Sequence, residues 1–178
     1  MKRIGVLAAF AFLIAAPASA PASAEVAASS AAGMTSRNVA EVKASPAETW
    51  AALVQPARYW SPDHSWSGSS ANMTLDPRAG GCFCEALPAS GGSVRHAEVI
   101  YADPGDQLRL SGAFGPLQSE ALTGTLTVKL TAIEGGTRIE WTYVVGGYAG
   151  FDLVQLAPVV DGVMGEQLQR LSAVLGTP

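Results

Sequence analysis

The sequence predicts an α+β domain, in which a seven-stranded antiparallel sheet packs one face against a long C-terminal helix. Three observations predict it. Leu122, Leu126, Val128, Leu130 and Ala132 alternate with Thr123, Thr125, Thr127, Lys129 and Thr131, the pattern of a strand with one buried and one wet face. Beyond a Gly135-Gly136 turn, Ile139, Trp141, Tyr143 and Val145 alternate with Arg138, Glu140 and Thr142, which predicts an antiparallel hairpin. Finally, Leu156, Val159, Val160, Val163, Met164, Leu168, Leu171 and Leu175 recur at three- and four-residue spacing, as on one face of a helix. Asp161, Glu166, Gln169 and Arg170 fall on its other faces. Pro158 marks the first turn or kinks a helix begun earlier.

The remaining elements follow in chain order. Lys2 and Arg3 precede an apolar run, Ile4 to Ala16, which ends at Pro17. Ala18-Ser19-Ala20 and Ala22-Ser23-Ala24 are small-x-small cleavage sites. Residues 1–24 therefore read as a secretory signal, cleaved after Ala20 or Ala24, and too short in its apolar run to span a membrane. Residues 25–36 belong to an Ala/Ser-rich stretch that reads as a flexible lead-in. The folded domain is expected over 37–176. A first strand is expected at 38–43. Ser45, Pro46 and Glu48 then form a capping-box helix start with proline in its first turn. That helix ends before Pro56, and a second short helical turn covers 57–60. Residues 61–71 read as a polar loop. Six strands are expected near 72–76, 81–87, 93–101, 107–113, 120–133 and 137–146.

Composition narrows function. The chain has 178 residues, 11 basic and 15 acidic. Losing Lys2 and Arg3 leaves 9 basic residues against 15 acidic, a net charge of −6. With no basic cluster, neither nucleic acid nor an anionic membrane surface is an expected partner. Hydrophobic residues make up 48% and charged residues 15%, which points to a large interior or an apolar cavity. No Ser-His-Asp order, phosphate-cradling glycine loop or cofactor fingerprint is present, and no cofactor is expected.

The stretches ASPAETWAALVQPARYW (44–60), LDPRAGGCF (75–83), VIYADPGDQLRL (99–110) and GGTRIEWTY (135–143), closed by the terminal helix, resemble the START-like helix-grip (SRPBCC) superfamily. The likeness is to its polyketide cyclase/dehydrase-like branch and activator-of-chaperone-ATPase-like relatives, here in an exported form. It implies a curved seven-stranded sheet wrapped around the C-terminal helix, with two short helices after strand 1 and an apolar pocket inside. The superfamily hosts carriers, receptors, cyclases and co-chaperones, so the fold does not choose among functions. The co-chaperone members work in the cytosol, and the export signal sets this chain apart from them.

The candidate site residues are few. Cys82 and Cys84, with His64 and His96, form a set that zinc accepts, but a C-x-C on a strand is not the usual ligand spacing. Their Cα atoms would lie about 7 Å apart, at the limit for a disulfide unless a bulge intervenes. The plainer reading is two small residues on one sheet face. The resemblance places the aromatic side of GGCF toward the pocket, with Phe83 and Leu87 inside and Glu85 beside them. Glu85 is then a carboxylate with a raised pKa, able to act as acid or base; the alternative is a solvated strand end. Alternation pairs His96 with Glu98 on one face, read as the outer one. The aromatic loop YWSPDHSWSG (59–68) brings Trp60, His64 and Trp66 toward the cavity mouth. Either they meet a ligand, or Trp60 caps the core and His64 bonds locally to Asp63 or Ser65. Trp141 and Tyr143 point inward by alternation, as core or as cavity wall.

These readings predict an exported binder of a small apolar or aromatic molecule, held by Trp60, His64, Trp66, Phe83, Glu85, Trp141 and Tyr143. One alternative is a cyclase- or dehydratase-like enzyme using Glu85, His64 and Tyr143. Another is a protein-interaction module whose partner the sequence does not name. No stable membrane insertion is expected after signal cleavage.

Overall fold

The computed structural model describes residues 23–176. The first 22 residues, which hold nearly all of the expected signal, lie outside the described part. The structure has one open antiparallel sheet of eight strands and two α-helices: β1 (Ser23–Ser30), β2 (Gly33–Val42), α1 (Pro46–Leu53), β3 (Met73–Leu75), β4 (Cys82–Leu87), β5 (Gly92–Asp103), β6 (Gln107–Ser111), β7 (Ala121–Ile133), β8 (Gly136–Tyr148) and α2 (Leu153–Leu175). Short 3-10 turns cover Pro56–Arg58, Pro62–His64, Ser70–Asn72 and Gly115–Ser119. The strand order is β1-β2-β8-β7-β6-β5-β4-β3.

The eighth strand corrects the count of seven and the flexible lead-in. Ser23–Ser30 pairs antiparallel with β2 as an edge strand. Its side chains carry no hydrophobic period, and among residues 25–30 only Val26 is partly buried. Its pairing with β2, α2 packed across it and the single apolar contact of Val26 hold this strand, so a pattern of side chains does not reveal it. β2 also starts earlier than expected. Its inward residues include Ser36 and Asn38, which are fully buried. Those polar positions interrupt the alternation. They are accepted in the core because Asp161 of α2 takes hydrogen bonds from Ser36 Oγ (2.6 Å) and Asn38 Nδ2 (3.3 Å). Asp161, expected on a wet helix face, is thus buried.

The other predicted elements stand close to their expected places. Ser45 caps α1, with Glu48 reaching back to the Ser45 amide at 2.9 Å. The β7–β8 hairpin pairs Leu126 with Tyr143 and Val128 with Trp141. Asp152 caps α2, and Pro158 lies inside it. α2 crosses β1 and β2 and touches α1. Leu153, Ala157, Met164, Leu168 and Leu171 are its buried apolar side chains, whereas Val159 is 60% exposed. No helix among the described residues is long and apolar enough to cross a membrane.

Candidate functional site

Between the inner face of the sheet and α2 lies a cavity of about 270 Å³. Its walls are Trp60, Phe114, Leu117, Tyr143, Leu156, Val160, Val163 and Met164, with His96 inside and Asp63, His64, Ser65, Trp66 and Val159 toward the mouth. Trp66 is 55% exposed there. The aromatic rings pack mutually: Trp60 on Phe83 and Phe83 on His96 at 5.1 Å, and Phe114 on Tyr143 at 4.9 Å between centroids.

The aromatic loop that closes one side is pinned at both ends. Toward α2, Gln167 Oε1 accepts from the Ser61 amide at 2.7 Å, and Arg170 Nε donates to the Tyr59 carbonyl at 2.7 Å. His64 Nε2 meets Glu166 at 3.0 Å rather than Asp63 or Ser65. Toward β4, Glu85 accepts from the Trp66 amide at 3.1 Å and the Ser67 amide at 2.5 Å. A polar loop thus becomes a fixed cavity wall, since four of these bonds satisfy main-chain groups and the His64–Glu166 pair adds a side-chain tie.

Glu85 lies 1% exposed, which removes the solvated strand-end reading. It does not line the cavity; it stands behind His96, whose Nε2 is 2.9 Å from its carboxylate. Burial pushes the Glu85 carboxyl up, but the Ser67 and Trp66 N–H groups and His96 together outweigh it and hold it below the usual range. The raised pKa expected for this carboxylate is therefore corrected. An ionised carboxylate only accepts, so His96 carries its proton on Nε2. Burial depresses the His96 pKa against the opposing pull of Glu85, so the ring is neutral at pH 7. Nδ1 then presents a lone pair. It has no protein partner among the described residues, and His96 lines the cavity.

His96 is the residue that alternation misplaced. Phe83 pairs with Ala97 and Cys84 with Arg95, so His96 is an extra residue in β5. At this bulge His96 and Ala97 are both buried, at 4% and 2% exposed, instead of facing opposite sides. No residue type in 93–101 announces a bulge.

The cysteines also differ from the plainer reading. Cys82 and Cys84 form a disulfide with Cα atoms 5.3 Å apart, across the step where the register shifts. They occupy the outer parity of β4 while Phe83 and Glu85 face inward. The zinc set Cys82, Cys84, His64 and His96 is therefore not assembled: two thiols are bonded to each other, one imidazole is inside and the other is paired with Glu166.

The remaining candidates divide. Trp60, His64, Trp66 and Tyr143 line the cavity. Phe83 and Trp141 instead border a small neighbouring void of about 20 Å³. The Tyr143 hydroxyl donates to the Gly112 carbonyl at 3.1 Å and accepts from the Phe114 amide at 2.9 Å. Burial raises its pKa. Both facts give it a holding role, fixing Phe114 in the wall.

A curved sheet clasping one long helix over a polar-tipped apolar cavity defines a helix-grip ligand-binding fold. The sequence matches the polyketide cyclase/dehydrase and lipid transport family over residues 16–176, and the chain belongs to that family. Among solved structures it is similar to a protein from Rhizobium leguminosarum (22% identity, 88% of this chain and 98% of that one, TM-score 0.58). It is also similar to the Mll3558 protein of Rhizobium loti (24%, 79% and 96%, TM-score 0.58) and to CalU16 of Micromonospora echinospora (17%, 82% and 77%, TM-score 0.53). These likenesses show the fold alone. No curated protein matches the sequence.

Proposed function

We propose that this chain is an exported binder of a small, flat, largely apolar molecule that carries one hydrogen-bond donor. The observation that carries the reading is the His96 imidazole, without a protein partner on its Nδ1 among the described residues, in a cavity whose inner walls are aromatic and aliphatic and whose polar residues Asp63, His64 and Ser65 lie at the mouth. An apolar ligand body would gain from burial against Trp60, Phe114 and Met164. A donor such as a phenolic hydroxyl would satisfy Nδ1 and orient the ligand. The family description, which includes lipid transport, is consistent with such cargo. Export is supported by the basic start, apolar run and cleavage sites of residues 1–24. Cleavage after Ala20 leaves β1 whole, whereas cleavage after Ala24 trims its first two residues.

The test compares two probes of one shape. 1-Naphthol should bind more tightly than naphthalene by roughly 2- to 12-fold, the value of one net hydrogen bond. H96L should erase that difference while leaving naphthalene binding intact. Equal affinities for the two probes in the unsubstituted protein would overturn the assignment.

A second reading, acid–base catalysis, is favoured by one observation. A buried carboxylate orients an imidazole that lines a largely apolar cavity, the arrangement of a general base with its positioning residue. In that reading His96 takes the proton from an acidic O–H or C–H of the bound molecule, and Glu85 stabilises the resulting imidazolium. Exchange of deuterium from solvent into a bound enolisable ketone, lost in H96L, is the expected signature.

A further inference from the structure

We propose that the Cys82–Cys84 disulfide is a reversible thiol-exchange site on the outer wall of the cavity, and that its redox state sets whether His96 faces inward. The disulfide closes around a single residue, Phe83, and holds the flanking Cα atoms 5.3 Å apart. Two residues of extended strand span about 6.6 Å, so β4 is drawn in at this step. Directly across from it, β5 carries the extra residue His96 between the pairs Phe83–Ala97 and Cys84–Arg95. A shortened strand opposite a lengthened one is what curves the wall here. The same step turns His96 into the cavity, onto Phe83 and Glu85.

Opening the disulfide lets β4 extend. In a regular ladder continued from Phe83–Ala97, Cys84 would pair with His96 and share its face. That face is the outer one. Reduction therefore favours the register in which His96 leaves Glu85 and the cavity. Both cysteines are half-buried on the outer face, within reach of a small thiol. Their cross-strand neighbours are Glu98 for Cys82 and Arg95 for Cys84, themselves joined at 3.3 Å. The cation beside Cys84 favours its thiolate as leaving group.

The co-reactant is a low-molecular-weight thiol or a dithiol protein. Its thiolate attacks one sulfur, the S–S bond breaks, and the other cysteine leaves as thiolate and takes a proton. A second thiol attacks the mixed disulfide. Two thiols are oxidised to one disulfide, and Cys82 and Cys84 are reduced. This assignment rests on the proposed export, which supplies the oxidant that forms the bond; its exchange with thiols then depends on the access that the half-buried cysteines leave and on the leaving thiolate beside Arg95.

The experiment uses untagged, folded protein whose two histidines report separately by ring NMR. Millimolar dithiothreitol is expected to release two thiols per chain and to move the His96 ring signals off the Nε2–H tautomer, with His64 unchanged. C82S/C84S should show the same His96 spectrum without reductant, with far-UV circular dichroism confirming the fold. 1-Naphthol affinity should fall roughly 2- to 12-fold in the reduced protein, as for loss of one hydrogen bond. If no thiols appear, or if they appear while the His96 signals stay, the proposal is overturned. The NMR readout does not depend on the ligand assignment. Movement of His96 without naphthol binding in either state would support the switch and remove the donor-ligand reading instead.

Discussion

Replacing Glu85 by Gln tests the site at its buried hinge. Three N–H groups converge on this carboxylate: the Ser67 amide at 2.5 Å, the Trp66 amide at 3.1 Å and His96 Nε2 at 2.9 Å. A glutamine of the same shape offers one acceptor oxygen and one NH2 donor. The Ser67 amide donates to Oε1, whereas the Trp66 amide and His96 Nε2 share Oε2, so an amide oxygen kept on the shorter Ser67 bond turns the NH2 toward both the Trp66 N–H and His96 Nε2. That imidazole must move its proton to Nδ1 or leave a buried donor facing a donor. An unsatisfied buried donor costs about 1–3 kcal/mol, and loss of the carboxylate charge weakens the bonds that remain. We therefore expect a loss of roughly 2 kcal/mol, a substantial part of the 5–15 kcal/mol typical of a domain. Urea unfolding reads this as a lower midpoint with unchanged slope. Ring-nitrogen NMR of His96 should show the proton moved to Nδ1, so that a donor replaces the acceptor in the cavity. A stability change below about 0.5 kcal/mol, together with an unchanged Nε2–H tautomer, would refute this account of how Glu85 sets His96.

Further outcomes follow from the same geometry. The His96 pKa is depressed below its ordinary 6.5 and that of Glu85 below its ordinary 4.5, so in both cases the unfolded chain binds protons first as pH falls. Unfolding free energy should therefore be full above pH 6.5, decline below it at up to about 1.4 kcal/mol per pH unit through the His96 step, and fall again below pH 4.5. H96L should flatten the upper step in denaturant titrations across this range. Tyr143→Phe removes the partner of both the Phe114 amide and the Gly112 carbonyl, and should cost about 1–3 kcal/mol by thermal or urea unfolding. Gly124→Ala places a methyl 2.6 Å from the Tyr143 hydroxyl and should destabilise by about 1–3 kcal/mol through overpacking. Val163→Trp, at a partly buried cavity-wall position, should abolish naphthalene binding by filling the space while changing the unfolding midpoint little.

Most of the fold was legible because most of its elements carry a repeating side-chain signal. The period of two in β7 and β8 follows from a sheet with one dry face, and the capping residues of α1 act within a single turn. β1 gives no such signal because its pairing uses backbone groups, and the start of β2 is hidden because its inward Ser36 and Asn38 look wet until Asp161 arrives from α2. Aromatic density and strand parity point to Trp60, His64, Trp66 and Tyr143, which line the cavity. Alternation alone places His96 on the outer face, and burial alone implies a raised Glu85 pKa; the bulge and the converging N–H groups reverse both.

The amino-acid order settles the alternation of the strands, the α1 cap and the apolar stripe of α2, because each depends on neighbours a few residues away. It also limits the chemistry to a few residue types: two histidines, two cysteines and a handful of aromatic rings. It does not settle which of them meet. Phe83–Ala97 and Cys84–Arg95 are pairings between strands, and the bulge that turns His96 inward exists only once β4 and β5 are side by side. The state of Glu85 likewise depends on two amides from a loop some twenty residues earlier in the chain. Strand register and loop docking join segments distant in sequence, and a one-residue change in register reverses which side chains face the cavity.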